Sequence, residues 1–302
     1  MSRSSTGPHA AVTRQRAFVL TLLAMLAFAG NSLLCRLALW HTHIDAASFT
    51  GIRLASGAIV LALILRWRGG SRDPAGSWPS AIALFIYAAA FSFSYVSLTA
   101  ATGALLLFGS VQATMIGVGL WRGERLNGWR SLGLLMAGAG LVGLLLPGLS
   151  APPLTGSMLM LAAGLAWGVY SLRGKASGDP LAVTAGNFIR AVVPAVGLCA
   201  AMLPWASLDL NGALYALASG ALASGVGYAV WYTALPQLKV TSAATVQLSV
   251  PVMAALGGVV FLDETLTARL LLSSATILGG IALVLTRSDN RVNIEKQDGS
   301  IR

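Results

Sequence analysis

The sequence predicts an all-α integral membrane protein whose ten transmembrane helices form two inverted five-helix repeats. Three observations lead to this prediction: the composition, the spacing of long apolar runs, and a register of similar residues in the two halves of the chain. Of the 302 residues, 56% are hydrophobic and only 10% are charged, whereas about 25% are charged in a soluble globular domain. The composition therefore excludes an ordinary soluble protein.

Ten apolar runs are each long enough to cross about 30 Å of hydrocarbon as a helix. They are predicted at 17–39, 46–65, 79–97, 101–121, 129–147, 154–172, 181–203, 211–234, 240–261 and 268–286. The connections are short and leave no room for an inserted soluble domain. We therefore expect a cytoplasmic tail over 1–16, a first five-helix repeat over 17–147, a second over 154–286 and a cytoplasmic tail over 287–302.

The net charge of +10 is explained by membrane topology. If the N-terminus is cytoplasmic, sixteen of the 20 Lys and Arg residues lie in inner tails and loops, and only Arg269 lies in an outer loop. This asymmetry follows the positive-inside rule and predicts a multi-pass protein of a bacterial-type inner (plasma) membrane with both termini in the cytoplasm. A nucleic-acid partner is not expected, because the basic residues fall in small groups between apolar runs.

The two halves of the chain share a register of similar residues. At an offset of 137, and of 140 after a short insertion, the pairs are Arg36 with Arg173, Arg53 with Arg190, Phe91 with Tyr228, Tyr95 with Tyr232, and Glu124 with Glu264. Five helices per half is an odd number, so the halves have opposite orientations. Two inverted halves can exchange conformations around a central site, which favours a carrier over a membrane enzyme.

The order of these motifs resembles the drug/metabolite transporter superfamily in its ten-helix metabolite exporter (EamA-type) branch. The matching features are Trp167-Gly168 followed by Lys175, Arg53 and Arg190, Tyr232-x-x-Leu235 with Lys239, Thr241 and Ser242, Pro251, and the acidic turns at Glu124 and Glu264. The chain departs from the family pattern at Ala29-Gly30-Asn31 and at Val111-Gln112. The resemblance implies export of small metabolites and is closest to amino-acid exporters, including exporters of aromatic amino acids.

Aromatic and polar side chains inside the predicted spans are the candidate substrate-binding residues. A hydroxyl or indole N–H at membrane depth needs a hydrogen-bond partner or a wet cavity. Proline in the ninth span also frees a backbone carbonyl near Gln247. The candidates are Asn31, Tyr87, Phe91, Tyr95, Gln112, Trp167, Tyr170, Tyr228, Tyr232, Gln247 and Pro251. For any single aromatic residue, packing between helices is an equally good explanation.

Other residues are expected to serve structure. Arg36 and Arg53 lie near the outer ends of their spans and Arg190 lies in an inner half, so each is expected to reach an interface, a partner or water. Snorkelling to the span ends is favoured over contact with a substrate carboxylate. Glycines in the fifth and tenth spans, among them Gly133, Gly140, Gly279 and Gly280, predict close helix packing. Six tryptophans lie at predicted span ends and are expected to be interfacial anchors.

No predicted span carries a carboxylate in its interior, which favours facilitated or exchange transport over proton coupling. A proton-coupled drug exporter, or a lipid-linked sugar exporter or flippase of the same superfamily, remains the alternative. No catalytic or metal-binding motif is present, and both cysteines lie inside spans, so neither an enzyme activity nor a cofactor is expected. The expected partners are a small-molecule substrate and membrane lipids; the oligomeric state is open, and a monomer is compatible.

Overall fold

The computed structural model describes residues 8–68, 75–123, 127–148, 150–174, 179–238 and 240–286, apart from the side chains of 8–14, 240–242 and 286. The helices are α1 Pro8–His41, α2 Ala46–Trp67, α3 Trp78–Tyr95, α4 Ala100–Trp121, α5 Gly128–Leu145, α6 Leu154–Gly174, α7 Pro180–Ala201, α8 Leu210–Ala218, α9 Gly227–Ala234, α10 Val240–Gln247, α11 Ser249–Leu262 and α12 Ala268–Thr286. The following lie outside the described residues: the predicted C-terminal tail, residues 1–7 of the predicted N-terminal tail, the turn at Glu124, Lys175 and Lys239.

Within the described residues, the twelve α-helices make ten spans because two of the spans are interrupted. A π-helical stretch, Ser219–Val226, joins α8 to α9, and together with a short 3₁₀ turn they form the eighth span, Leu210–Gln237. In the ninth span, α10 ends at Gln247 and α11 begins at Ser249. Pro251 has no N–H to donate to the carbonyl of Gln247, which explains the break at this point. The predicted all-α class and the number of spans are confirmed within the part of the chain that is described.

Side-chain caps mark where several spans begin. Asp45, Thr99, Asn127, Asp179 and Asp209 each accept a hydrogen bond from a backbone N–H in the first turn of the helix that follows. Such caps satisfy donors that have no partner within the helix. The caps place the starts of these spans within one residue of the predicted positions, whereas α1 begins nine residues before the predicted start at residue 17.

The packing between spans has the two-fold pattern of an inverted repeat. Equivalent spans pack on each other: α2 on α7, α4 on α11, and α5 on α12. The most extensive contacts between non-equivalent spans also have counterparts. The contact of α3 with α6 matches that of α1 with the eighth span, and the contact of α4 with α6 matches that of α1 with α11. This correspondence is what two halves of opposite orientation produce.

The fifth and tenth spans, α5 and α12, pack closely against each other. A Cβ atom on Gly280 would lie 2.4 Å from the carbonyl oxygen of Gly133 and 2.7 Å from the backbone nitrogen of Ala137. Glycine is therefore needed here for the two backbones to approach. This is the close packing that the glycines of these spans predict, since small residues let transmembrane helices come together.

We expect Gly280→Ala to destabilise the protein and Gly279→Ala to leave it nearly unchanged. The methyl group on residue 280 would overlap backbone atoms of α5, and such overpacking costs about 1–3 kcal/mol. A Cβ on Gly279 meets nothing within 4 Å, so this neighbour controls for the change in helix propensity. The measurement is the thermal unfolding midpoint of both variants in detergent. Equal midpoints would contradict the close contact.

Candidate functional site

A cavity of about 630 Å³ lies among α1, α3, α4, α6, α7 and the eighth and ninth spans. Its volume is in the range of small-molecule sites, which are mostly apolar with a few placed polar groups. The aromatic and polar residues that line it are Phe28, Asn31, Ser32, Tyr87, Phe91, Phe108, Gln112, Trp167, Tyr170, Ser171, Thr184, Ser224, Tyr228, Trp231, Tyr232 and Gln247. Both halves of the chain contribute.

The cavity reaches one side of the bundle. Its lining includes Gly174 at the end of α6, Pro180 at the start of α7 and Leu238 after the eighth span. Because successive spans run in opposite directions, these three residues lie on the side where α1 begins. Arg66, Arg122 and Arg173 lie on the same side, which we call the arginine-rich side. The face across the membrane is called the opposite side.

A second, larger cleft of about 800 Å³ lies at the surface of the arginine-rich side. It is bounded by Ser77 and Ser80 at the start of α3, by Trp121 and Arg122 at the end of α4, and by Arg173 of α6. The cleft lies at the ends of the spans rather than at the repeat interface, where carriers of this architecture bind their substrates. The central cavity is therefore the candidate site.

An aromatic cluster forms one wall of the central cavity, and Trp167 is in its middle. The Trp167 ring stacks on Tyr170 at a centroid distance of 5.2 Å and on Tyr228 at 5.3 Å, and it contacts Tyr87 at 4.8 Å. Phe28 adds edge contacts to Tyr228 at 5.8 Å and to Trp231 at 6.0 Å. These are the separations at which aromatic pairs attract each other. The cluster therefore joins α1, α3, α6 and the eighth span.

A hydrogen-bonded network lies beside this wall. The Asn31 carbonyl accepts from the Ser219 hydroxyl at 2.7 Å, and its amide donates to the Tyr87 oxygen at 3.5 Å. Arg53 Nη2 donates to the same Tyr87 oxygen at 3.0 Å. The network connects the first three spans with the π-helical stretch of the eighth, and it gives the Asn31 and Tyr87 side chains the partners that buried polar groups need.

Arg53 and Arg36 are both buried against partners from other spans and do not extend into solvent as snorkelling side chains would. Arg53 is 1% exposed, and its guanidinium carbon lies 4.7 Å from the Phe91 ring centroid and 5.2 Å from that of Tyr87. Arg36 is buried in an ion pair with Glu264. Contacts with side chains of other spans account for the burial of both arginines. Arg190, in contrast, is half-buried and donates to the backbone carbonyl oxygen of Ala75 at 3.0 Å.

The Arg36–Glu264 ion pair lies on the opposite side of the bundle. Arg36 Nε lies 3.3 Å from Glu264 Oε1, and the two side chains are 7% and 8% exposed. Arg36 Nη1 also donates to the Tyr95 carbonyl at 3.0 Å, and the Glu264 carboxylate accepts from the Ala100 backbone N–H at 2.9 Å. A carboxylate at the first turn of α4 is favoured by the helix dipole. This arrangement, which we call the opposite-side seal, joins the two halves of the chain.

A contact between two loops lies on the same side of the bundle as the seal. The Asp45 carboxylate accepts from the N–H groups of Ala47, Ser48 and Ser207, at 2.9 to 3.0 Å. Partial burial alone would raise the pKa of Asp45, but these hydrogen bonds, those of Ser48 foremost, hold the pKa below its ordinary value. The ionised carboxylate thereby ties the loop before α2 to the loop after α7.

Nine of the eleven residues singled out from the sequence line the cavity: Asn31, Tyr87, Phe91, Gln112, Trp167, Tyr170, Tyr228, Tyr232 and Gln247. Tyr95 does not. Its ring is fully buried between Phe91 and α4, and its hydroxyl donates to the Ala100 carbonyl at 3.4 Å. Pro251 is buried in α11 and does not line the cavity either.

Several lining residues were not among the candidates from the sequence. Phe28 lies one turn before Asn31 and Trp231 lies one turn after Tyr228, so helical spacing from a chosen residue points to both. Thr184 accepts a hydrogen bond from the Tyr170 hydroxyl at 3.5 Å, and no sequence pattern indicates it. A small hydroxyl residue near a span end carries too little signal by itself.

Comparison with known proteins agrees with this architecture. The profile of the EamA-like transporter family matches residues 154–286, the whole second half. An uncharacterized protein of Pseudomonas aeruginosa is 60% identical over 90% of this chain and 95% of its own length. The threonine/homoserine exporter RhtA of Salmonella typhimurium is 33% identical over 41% of this chain and 43% of its own length.

Comparison with solved structures agrees with the ten-span architecture as well. One solved crystal structure superposes with a TM-score of 0.62 at 20% sequence identity, covering 92% of this chain and 99% of that one, which shows a shared fold. Ten spans with inverted packing, the family match over the second half and relatives that include a named exporter all lead to one assignment. The chain belongs to the EamA-like transporter family of the drug/metabolite transporter superfamily.

Proposed function

We propose that this protein exports amino acids, with aromatic ones among the candidates, or related small metabolites by alternating access. The observation that carries the proposal is a central cavity of about 630 Å³ that reaches the arginine-rich side, while a buried ion pair joins the two halves of the chain on the opposite side. A substrate enclosed in such a cavity leaves only after the seal has opened. The threonine/homoserine exporter among the relatives supports the substrate class.

The cavity lining suits a small molecule with both an apolar and a polar part. Aromatic rings from α3, α6 and the eighth span offer flat apolar surface, while Asn31, Gln112 and Gln247 offer amide groups. Amides can donate and accept, so they can serve either end of an amino acid. Aromatic side chains of a substrate would stack against the cluster around Trp167.

The lining also bears on energy coupling. None of the residues that line the cavity in the described part of the chain is Asp, Glu, Lys or His. A proton-driven carrier uses a titratable group at its binding site. Transport driven by the substrate gradient or by exchange therefore fits this cavity better than proton coupling.

Counterflow in proteoliposomes tests the proposal. Purified protein is reconstituted, the vesicles are loaded with unlabelled threonine, homoserine, phenylalanine or tryptophan, and uptake of the labelled form is followed with no pH gradient. We expect accumulation for at least one of the four amino acids. Counterflow of sugars or cationic drugs alone would contradict the proposal, and uptake that appears only with an imposed pH gradient would contradict the gradient-driven mechanism.

A further inference from the structure

Arg53 is a buried cation that lacks a counter-ion in the described part of the chain. Its side chain is among the largest fully buried ones, and neither Nε nor Nη1 has a hydrogen-bond partner. The ion pairs among the described residues are Arg36 with Glu264 and Arg68 with Asp179, so neither described pair includes Arg53. An arginine at this depth is functional by default and calls for a partner.

The surroundings offset only part of the cost of this charge. The guanidinium lies over the rings of Phe91 and Tyr87, which attract a cation through their negative faces. Such contacts are weaker than an ion pair in a dry interior, and they leave two donor nitrogens, Nε and Nη1, without acceptors. The positive field of Arg53 therefore extends into its neighbourhood, and the cavity is part of that neighbourhood.

Tyr87 connects Arg53 to the cavity. Its hydroxyl oxygen accepts from Arg53 Nη2 at 3.0 Å and from the Asn31 amide at 3.5 Å. Because both contacts use the oxygen as an acceptor, the hydroxyl hydrogen remains available for donation. Tyr87 lines the cavity, and a hydroxyl that accepts from a cation becomes a stronger donor.

We propose that Arg53 and Tyr87 make this part of the cavity a subsite for a carboxylate group. The Tyr87 hydroxyl is the direct donor to the carboxylate, and Arg53 is a positioning residue that polarises the hydroxyl and supplies the opposing charge. The inference rests on the proposed function in that the carboxylate is the one carried by a transported amino acid or related metabolite. The inference adds that the cavity selects substrates by a negatively charged end group, as well as by aromatic and polar contacts.

Matched acids and amides test the subsite. Phenylalanine and threonine are compared with phenylalaninamide and threoninamide as competitors of counterflow, in the wild type, Arg53→Met and Arg53→Lys. We expect the wild type to prefer the acid, Arg53→Met to lose this preference by about tenfold, and Arg53→Lys to keep most of it, because lysine retains the charge. If Arg53→Met weakens competition by the acid and by the amide equally, Arg53 only supports packing and the proposal is overturned.

A second variant keeps the test decisive if Arg53→Met fails to insert. Tyr87→Phe retains the aromatic ring beside Trp167 but removes the hydroxyl. Like Arg53→Met, it is expected to reduce the preference for the acid. An unchanged preference in Tyr87→Phe would overturn the direct role of the hydroxyl.

Simple ligands separate this inference from the proposed function. Benzoate and benzamide are tested for their shift of the thermal midpoint of purified protein. Stabilisation by benzoate that depends on Arg53, with no amino-acid counterflow, would reject amino-acid export and keep the subsite. Amino-acid counterflow with equal competition by acid and amide would keep the export function and reject the subsite.

Discussion

Glu264→Gln is expected to open the opposite-side seal and to destabilise the closed arrangement. The substitution leaves the Arg36 guanidinium buried without its counter-charge, and removing one partner of a buried ion pair costs about 3–5 kcal/mol. The carboxylate also accepts from the Ala100 N–H through both oxygens, at 3.0 and 2.9 Å, and a glutamine keeps only one of these acceptors. The seal should therefore be populated less in this variant.

Accessibility from the two sides of the membrane measures this effect. Ser32 lines the cavity, so Ser32→Cys in a background without Cys35 and Cys199 gives a single reporter for a membrane-impermeant maleimide. The parent should be labelled from the arginine-rich side, and addition of Glu264→Gln should allow labelling from the opposite side as well. If both the parent and the Glu264→Gln variant are labelled only from the arginine-rich side, the ion pair does not keep the opposite side closed.

Asp263→Asn is the matched control for this experiment. Asp263 is adjacent to Glu264 and exposed, and it has a left-handed backbone conformation with φ of 51°. Asparagine is tolerated in this conformation, so the control removes a carboxylate from the same turn without strain. We expect its labelling to match that of the parent.

A double variant separates the ion pair from general damage to the loop. Arg36→Met combined with Glu264→Gln removes both charges and leaves none buried without a partner. The thermal midpoint of the double variant should exceed the value calculated by adding the effects of the two single changes. Strict additivity would mean that the two side chains do not stabilise each other.

Trp167→Ala is expected to reduce transport by about tenfold or more. Truncation of a central aromatic residue in a binding site typically costs this much in binding. Trp167 contacts Tyr87, Tyr170 and Tyr228, so its removal takes apart the wall that joins α3, α6 and the eighth span. Its ring is half-buried and faces the cavity, so we expect binding to fall more than stability.

The measurement is amino-acid counterflow at equal amounts of folded protein, with two companion variants. Trp167→Phe keeps an aromatic face and should retain an intermediate rate. Trp67→Ala removes an indole that is 88% exposed at the end of α2, and it should transport like the wild type. Equal rates for Trp167→Ala and Trp67→Ala would mean that the aromatic cluster only fills space.

Much of the architecture is predictable from local patterns. The length of each apolar run determines a span, and the six tryptophans at predicted span ends are indeed exposed at or beside helix ends. Tyrosine, asparagine and glutamine inside an apolar span cannot face lipid cheaply, so most of them lie where polar groups can be satisfied. This reasoning alone selected nine of the sixteen aromatic and polar side chains that line the cavity.

Helical spacing determines a face but not how far a cavity extends along it. Tyr87, Phe91 and Tyr95 share one stripe of α3, yet only the first two line the cavity. At Tyr95 the helix meets α4 so closely that a Cβ on Gly103 would lie 2.4 Å from the tyrosine ring. The end of the cavity is thus set by a neighbouring helix, about which the sequence of α3 carries no information.

The sequence by itself determined the number of spans, the inverted repeat, the interruption of the ninth span and the types of side chain at the centre. These features depend on hydrophobic length, internal similarity and the missing N–H of proline, all of which can be read from the sequence without knowing which spans pack together. The tertiary structure alone decided that Arg36 pairs with Glu264, 228 positions away, and that Arg53 is buried behind Tyr87. The stability of a buried charge depends on partners brought together by packing, and no single span specifies those partners.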